Sequence, residues 1–306
     1  MRLSATLYKL VKLLYLNFPF KKYVCFVLKF INFKIDKFYI DFRFKGVFKV
    51  SVLKEETFLL HHFGGKIENE TFWKGLFTSF EREMGWLWIE LSKKSEVIID
   101  IGANTGIYSL VAQTVNSESL IYAFEPSKNT FSKLQQNVSI NNFNINCFQI
   151  ALSNHTGSQV FYDSYDTNQT SASMSPKMHA LWVNYTVNSY QVETQTLDSF
   201  IREKNLTKID LVKLDVEMFE PEVIEGFLGE IFLKQPIIFI EVLTEEVGEK
   251  LMLLFNNQFS FYHLDKEHVI LRKNQLIPIP LKWNYLICPQ DKVEWFEKEF
   301  VQYIID

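Results

Sequence analysis

The sequence predicts an α/β chain built on a mainly parallel sheet with helices on both faces. Three observations carry this. From residue 96 onward, short apolar runs alternate with segments of helical period. The first run ends in a glycine-containing turn that opens a helix. Several runs end on an acidic residue, where ligands of open α/β sheets bind.

EVIIDI (96–101) reads as a buried strand, and the turn after it leads into a helix at about 106–115. SLIYAFE (119–125) is the second strand. Pro126 and Ser127 open the next helix, which Asn141 and Asn142 close. INCFQIAL (145–152) is the third strand, and GSQVFYD (157–163) an added extended piece. Residues 164–185 are rich in Ser, Asn, Thr and Met and lack a period, which suits either a mobile loop over the site or a surface excursion. A helix at 197–204 precedes the fourth strand, IDLVKLDVE (209–217). Another at about 221–227 precedes the fifth, PIIFIEVL (236–243). Residues 245–255 read as helix, 259–264 as strand, and WNYLICP (283–289) as the last strand.

Upstream, residues 1–33 carry Leu3, Leu7, Leu10 and Leu14 at helical spacing, with lysines between them and Pro19 as an interruption. Residues 1–45 hold ten Lys or Arg against two acids. Such a basic amphipathic segment either makes peripheral contact with an anionic membrane through its first 33 residues or docks on the body of the protein. Residues 37–53 alternate apolar and polar, as in a β-hairpin, and His61, His62, Gly64 and Gly65 follow as a loop. The paired histidines have no nearby partner ligands and read as ordinary loop residues. An aromatic-rich helix covers 71–92. Residues 1–95 thus form an N-terminal extension, and 96–306 the domain that carries the chemistry.

Composition removes other classes. A net charge of −4 is a poor basis for sequence-independent nucleic-acid binding, which depends on phosphate neutralisation. Three widely spaced cysteines without CxxC give neither a disulfide framework nor a cysteine zinc site, and no metal ligand set is named. No run approaches the ~20 apolar residues of a membrane span. No small-residue cleavage site follows the N-terminal stretch, so a cytoplasmic location is expected.

The chemistry centres on Asp100-Ile-Gly102-Ala103-Asn104-Thr-Gly106, placed where the first strand ends and the first helix begins. Glycines there allow close backbone approach, and the free N–H groups of the helix start point into the same space. Glu125, at the end of the next strand and followed by Pro126, is placed to accept hydrogen bonds from both hydroxyls of a ribose. The pattern is D-x-G-x-x-x-G rather than the dinucleotide G-x-G-x-x-G. A carboxylate ahead of the turn suits the ammonium of an amino-acid tail, directly or through water, which favours S-adenosylmethionine over NAD.

VIIDIGANTGIYSL, YAFEPS and VKLDVEMFEPEVIEG, in that order, resemble the FkbM family of S-adenosylmethionine-dependent methyltransferases. The resemblance runs from about residue 72 to 242, with an echo in NYLICP. It implies a seven-stranded, Rossmann-like class I methyltransferase fold and methylation of a hydroxyl on a sugar, glycan or other small molecule. It also implies that Asp100, Gly102, Asn104 and Gly106 match the cofactor turn and Glu125 the ribose acid, with Ala151 and Leu152 near the adenine. Asp215, Glu217 and Glu220 match the D-V-E-G-x-E run, with Met218 where glycine is usual.

Asp215 and Glu217 stand two apart at a strand's carboxyl end and so face one side. Methyl transfer to a hydroxyl needs positioning and a proton acceptor. Either acid could take the proton, bind substrate hydroxyls or a divalent metal, or serve as a helix cap. Glu241, ending the fifth strand, is a further catalytic candidate. Lys213 lies in an apolar strand and reaches out at the sheet end or pairs with an acid. His155, His179 and His263 are isolated in sequence and read as surface or core histidines. Competing readings are nitrogen methylation, another nucleotide cofactor, and a non-catalytic membrane or partner adaptor.

Overall fold

The computed structural model describes residues 12–13, 15–16, 18–31, 36–78, 81–164, 172–175 and 187–305. Leu3, Leu7, Leu10, Leu14, His179 and most of 164–185 lie outside these. The chain divides into two compact units, residues 1–80 with 166–170, and 81–165 with 171–306. The division follows residue 80 rather than 95. The helix Arg82–Ser92 buries Met84, Leu87, Trp88 and Leu91, one helical face, within the second unit. Trp88 donates from Nε1 to the Tyr108 carbonyl there at 3.0 Å.

In the first unit, helix α1 (Lys21–Phe30) buries Cys25 beside Tyr15 and Phe42. Strands β1 (Gly46–Ser51) and β2 (Thr57–His62) pair antiparallel as a hairpin, and helix α2 (Lys66–Lys74) follows. The hairpin thus begins later than the alternation at 37–53 suggests, because residues 36–41 form a 3-10 turn instead. His61 and His62 end β2 rather than occupying a loop. His62 is a core residue. Its Nε2 bonds Asn69 Oδ1 at 3.1 Å, its Nδ1 accepts from Gly64 N at 3.1 Å, and burial pulls its pKa down to about 4.

The second unit starts with helix α3 (Arg82–Ser92). Then come β3 (Val97–Ile101), α4 (Ile107–Val115), β4 (Leu120–Phe124), α5 (Lys128–Ile140), β5 (Ile145–Phe148), β6 (Ala151–Leu152) and β7 (Gly157–Ser164). They are followed by β8 (Val187–Gln195), α6 (Leu197–Glu203), β9 (Leu211–Leu214), α7 (Glu220–Glu225), α8 (Leu228–Lys234), β10 (Ile237–Glu241) and α9 (Glu245–Phe255). The unit ends with β11 (Phe259–Lys266), β12 (Val269–Lys273), β13 (Asn284–Pro289), α10 (Gln290–Glu299) and β14 (Ile304–Ile305).

Among the described residues the large sheet has nine strands in the order β14-β12-β11-β13-β10-β9-β3-β4-β5. The expected seven are extended by β12 and β14 beyond β11. Strands β5, β4, β3, β9 and β10 are mutually parallel, whereas β13 pairs antiparallel with both β10 and β11, so the sheet is mixed. The expected third strand, 145–152, splits in two. Ile145–Phe148 closes the edge of the large sheet, and Ala151–Leu152 joins a separate three-stranded sheet of order β6-β8-β7. The core is dense in aromatics, with Trp88, Phe124, Phe200, Phe239, Tyr262 and Tyr285 fully buried. Each such burial stabilises by roughly 1.5–3 kcal/mol.

Register levels the strand ends. Ile101 pairs with Phe124 and with Leu214, and Leu214 with Ile240. Gly102, Glu125, Asp215 and Glu241 are the next residues on four adjacent strands, so all leave the sheet side by side.

Candidate active site

The turn after β3 is held by backbone. The N–H groups of Gly102 and Ala103 both donate to the Phe124 carbonyl, at 3.0 and 2.9 Å, and Gly106 N donates to Ala103 O at 2.8 Å. Gly102, Asn104 and Gly106 have φ of 75°, 50° and 90°. A Cβ on Gly102 would fall 1.9 Å from the Asp215 carbonyl oxygen, and one on Gly106 would fall 2.5 Å from Leu134 Cδ1. These glycines therefore let the turn close against β9 and α5. That requirement is one of internal packing.

Glu125 and the turn form one unit. Its Oε2 accepts from Asn104 N at 3.0 Å and its Oε1 from Ser127 N at 2.9 Å. Burial pushes its carboxyl up to about 7 against the pull of those two N–H groups. Pro126 supplies no donor between them. Ser127 caps α5 and donates from Oγ to Asp163 Oδ2 at 2.8 Å, which Tyr190 also reaches from β8 at 3.0 Å. The small sheet is thereby tied to the acid. Ala151 and Leu152 lie in that sheet, with their side chains buried in the core.

Asp100 is fully buried. Its Oδ2 accepts from Ser109 N at 3.1 Å and Ser109 Oγ at 2.6 Å, which anchors the first turn of α4. Its Oδ1 has no partner among the described residues. An orphan carboxylate oxygen on Asp100 beside this turn, and a second carboxylate with lone pairs to spare at Glu125, fit a nucleoside carrying an ammonium tail.

The β9 end differs from its sequence reading. The strand stops at Leu214, and Glu217 and Met218 take consecutive left-handed conformations, φ 55° and 70°. The two-residue strand spacing that would set Glu217 beside Asp215 therefore does not continue. Glu220, fully buried, holds this turn by accepting at Oε1 from Val216 N and Met218 N at 3.3 and 3.2 Å. Burial raises its pKa to about 8. Ser173 donates from Oγ to the Glu217 carbonyl at 2.6 Å, so part of the period-less segment is pinned onto the turn. His263 is buried on β11, and His155 bonds Asn154; neither joins the acidic cluster.

The structure instead brings Glu81 to Asp215 and Glu241. Carboxylate oxygens of the three lie within 4.8 Å of one another, and all three side chains are half-buried. Lys213, fully buried in β9, bonds Asp215 Oδ2 through Nζ at 2.8 Å and lies over the Tyr108 ring at 4.7 Å. The spacing is one at which carboxylates hold a cation, and the Lys213 ammonium already serves as their counter-ion. Burial opposes that charge, but Asp215 and Glu81 hold its pKa above the ordinary lysine range. Tyr108 donates from its hydroxyl to Glu81 Oε2. Sequence reasoning missed Glu81 because the aromatic-rich stretch 71–92 reads as one helix, whereas it breaks into Lys66–Lys74 and Arg82–Ser92 with Glu81 just ahead of the second, and no strand end marks it.

A family model described as methyltransferase FkbM domain matches residues 100–264. The chain is 30% identical over 146 residues to Methyltransferase 1 of Beauveria bassiana, covering 44% of this chain and 59% of that protein. It is 27% identical over 168 residues to 2-O-methyltransferase NoeI of Sinorhizobium fredii, covering 52% and 68%. It is 25% identical over 157 residues to hexuronic acid methyltransferase AglP of Haloferax volcanii, covering 51% and 60%. The match therefore spans less than two thirds of the first of these relatives.

Proposed function

The chain belongs to the FkbM methyltransferase family, and on that premise we propose that it methylates a hydroxyl of a sugar-like acceptor with S-adenosylmethionine as donor. The observation that carries the cofactor is Glu125, whose two oxygens are aimed by Asn104 N and Ser127 N beside the Gly102–Gly106 turn. The names of two relatives, a 2-O-methyltransferase and a hexuronic acid methyltransferase, favour oxygen as the nucleophile and a sugar as its carrier.

When bound, the cofactor supplies a methyl group on a positively charged sulfur. The chain's own residues do the rest. Glu125 takes the ribose hydroxyls, and Asp100 Oδ1 takes the ammonium, directly or through water. Ala103 and Asn104 line the turn. Asp215 and Glu241 project at the carboxyl ends of β9 and β10, where they orient the acceptor hydroxyl, and a carboxylate of this cluster accepts its proton.

Calorimetric titration with S-adenosylmethionine and S-adenosylhomocysteine, with NAD as control, tests the cofactor. Transfer of a labelled methyl group to methyl glycosides of hexoses and hexuronic acids tests the acceptor. Folded protein that binds neither methionine compound would sink the cofactor assignment and favour the adaptor reading.

A second reading concerns the first unit. Tyr23, Val27, Phe30 and Ile31 recur at helical spacing on and just past α1 and are 68%, 59%, 90% and 57% exposed. Lys21 and Lys22 flank this face. An exposed apolar stripe bordered by lysines fits the interface of an anionic membrane, with the rings at the headgroup boundary. Among the described residues, no helix is long and apolar enough to cross a membrane.

A further inference from the structure

The acidic cluster holds three half-buried carboxyl groups and one buried ammonium, and these groups are not equivalent. Asp215 is committed to Lys213 by a 2.8 Å ion pair. Its Oδ2 is thus occupied by the Lys213 ammonium rather than open to an acceptor hydroxyl. Glu241 faces the carboxylates of Asp215, Glu217 and Glu81, with Lys213 as the opposing charge. Burial first, and then Asp215, raises its carboxyl well above the ordinary range, with Lys213 opposing. Glu217 sits on the left-handed turn outside the set.

Glu81 remains. Its backbone is left-handed, φ 47°, at the N-cap position of α3, yet its side chain makes no capping bond. It turns toward Asp215 and Glu241, and Tyr108 fixes Oε2. A strained backbone that forgoes a cap to place a carboxylate at the strand ends is the arrangement of a functional side chain. We propose that Glu81 is the catalytic base that takes the proton of the acceptor hydroxyl, with Lys213 and Tyr108 as its positioning residues. The inference rests on the methyl-transfer reading above.

The step balances as follows. The acceptor oxygen forms its bond to the methyl carbon while the carbon–sulfur bond breaks with its electron pair kept on sulfur. The O–H bond breaks with its pair kept on oxygen, and the proton passes to Glu81, which later yields it to water from its half-exposed side. The groups facing Glu81 are Tyr108 from α4, Lys213 and Asp215 from β9, Glu241 from β10 and Glu83 from α3. Burial raises the Glu81 carboxyl to about 7, with Lys213 opposing and Asp215 adding to the rise. A base poised near the working pH transfers protons most effectively.

Two measurements on the full chain test this. In the first, carbon-13-glutamate-labelled protein is titrated by NMR without acceptor. The Glu81 carboxyl is expected to change ionisation near pH 7, and to do so at lower pH in Asp215→Asn. In the second, methyl transfer to the glycosides is followed for wild type, Glu81→Gln and Glu81→Asp. Glu81→Gln is expected to lower kcat by roughly 100- to 10,000-fold with KM and cofactor affinity little changed, and Glu81→Asp to recover part of the loss. A Glu81 carboxyl that titrates in the ordinary glutamate range overturns the proposal, as does a Glu81→Gln enzyme with wild-type kcat. A wild type that binds the cofactor but methylates no glycoside overturns the acceptor class instead, and the NMR titration then decides the role of Glu81.

Discussion

Asn104 donates its main-chain N–H to Glu125 Oε2 at 3.0 Å, which makes the turn after β3 and the acid after β4 a single hydrogen-bonded unit. The donor on Ser127 completes the arrangement on the other oxygen. Everything about cofactor affinity should therefore be sensitive to the charge on this one carboxyl.

The sign is fixed by where that carboxyl titrates. In the free protein it is pushed up to about 7, mainly by burial. Ribose hydroxyls donate to the ionised form, so binding lowers the pKa and releases a proton. Affinity for S-adenosylmethionine should rise as pH rises through 7 and level off above about pH 8, by at most about tenfold per pH unit. Calorimetry at several pH values checks this. A Glu125→Gln variant should bind more weakly and lose the dependence. An equal slope in both proteins would remove Glu125 from the cofactor site.

Gly102→Ala should be strongly destabilising. The new Cβ meets the Asp215 carbonyl at 1.9 Å, and φ is 75°. Backbone strain of about 1–2 kcal/mol adds to overpacking of about 1–3 kcal/mol against a main chain that cannot swing aside. Gly64→Ala is the matched control, since its φ is 98° but nothing lies within 4 Å. It should cost only the strain, about 1–2 kcal/mol. Urea unfolding of both proteins reads the difference, and equal losses would mean that contact with β9 is unimportant.

Glu220 should tolerate glutamine better than alanine. It holds the turn through Oε1, which an amide oxygen can replace, whereas alanine leaves Val216 N and Met218 N without their acceptor. Glu220→Ala should cost about 2–4 kcal/mol. The folded carboxyl titrates near 8 against an ordinary 4.5, so the folded state retains the proton that the unfolded chain loses. Between those values wild-type stability should fall as pH rises, by up to about 1.4 kcal/mol per pH unit relative to Glu220→Gln. Denaturation across that range, showing no divergence, would contradict the buried neutral form.

The exposed face of α1 gives a binding prediction. The full chain should sediment with vesicles containing anionic phospholipid and much less with neutral ones, and salt should release it. Phe30→Asp should abolish the association, as Phe30 is 90% exposed and its loss leaves the fold alone. Equal sedimentation of the variant would point to the protein body as the binding surface.

The sequence announces what is local and hides what is assembled. The β3 run, its turn and Glu125 were legible because a strand end, glycines and an acid follow one another within a few residues. The break in 145–152 was not, since its apolar residues read as one strand and only pairing with β8 pulls Ala151 and Leu152 aside. The extra strands β12 and β14 are short and gain their identity from neighbours. Glu217 departs from strand spacing because the chain beyond Leu214 enters a left-handed turn. Glu81 was invisible because its partners come from β9 and β10, far along the chain.

That distance has a kinetic meaning. Asp100 pairs across the sheet with Lys213, so the middle of the sheet waits for a strand supplied late by the chain. Parallel pairing over such a separation is intrinsically slow. Until β9 inserts, Lys213 and Asp215 cannot meet Glu81 and Glu241. Closure of this acidic cluster is therefore tied to that long-range pairing.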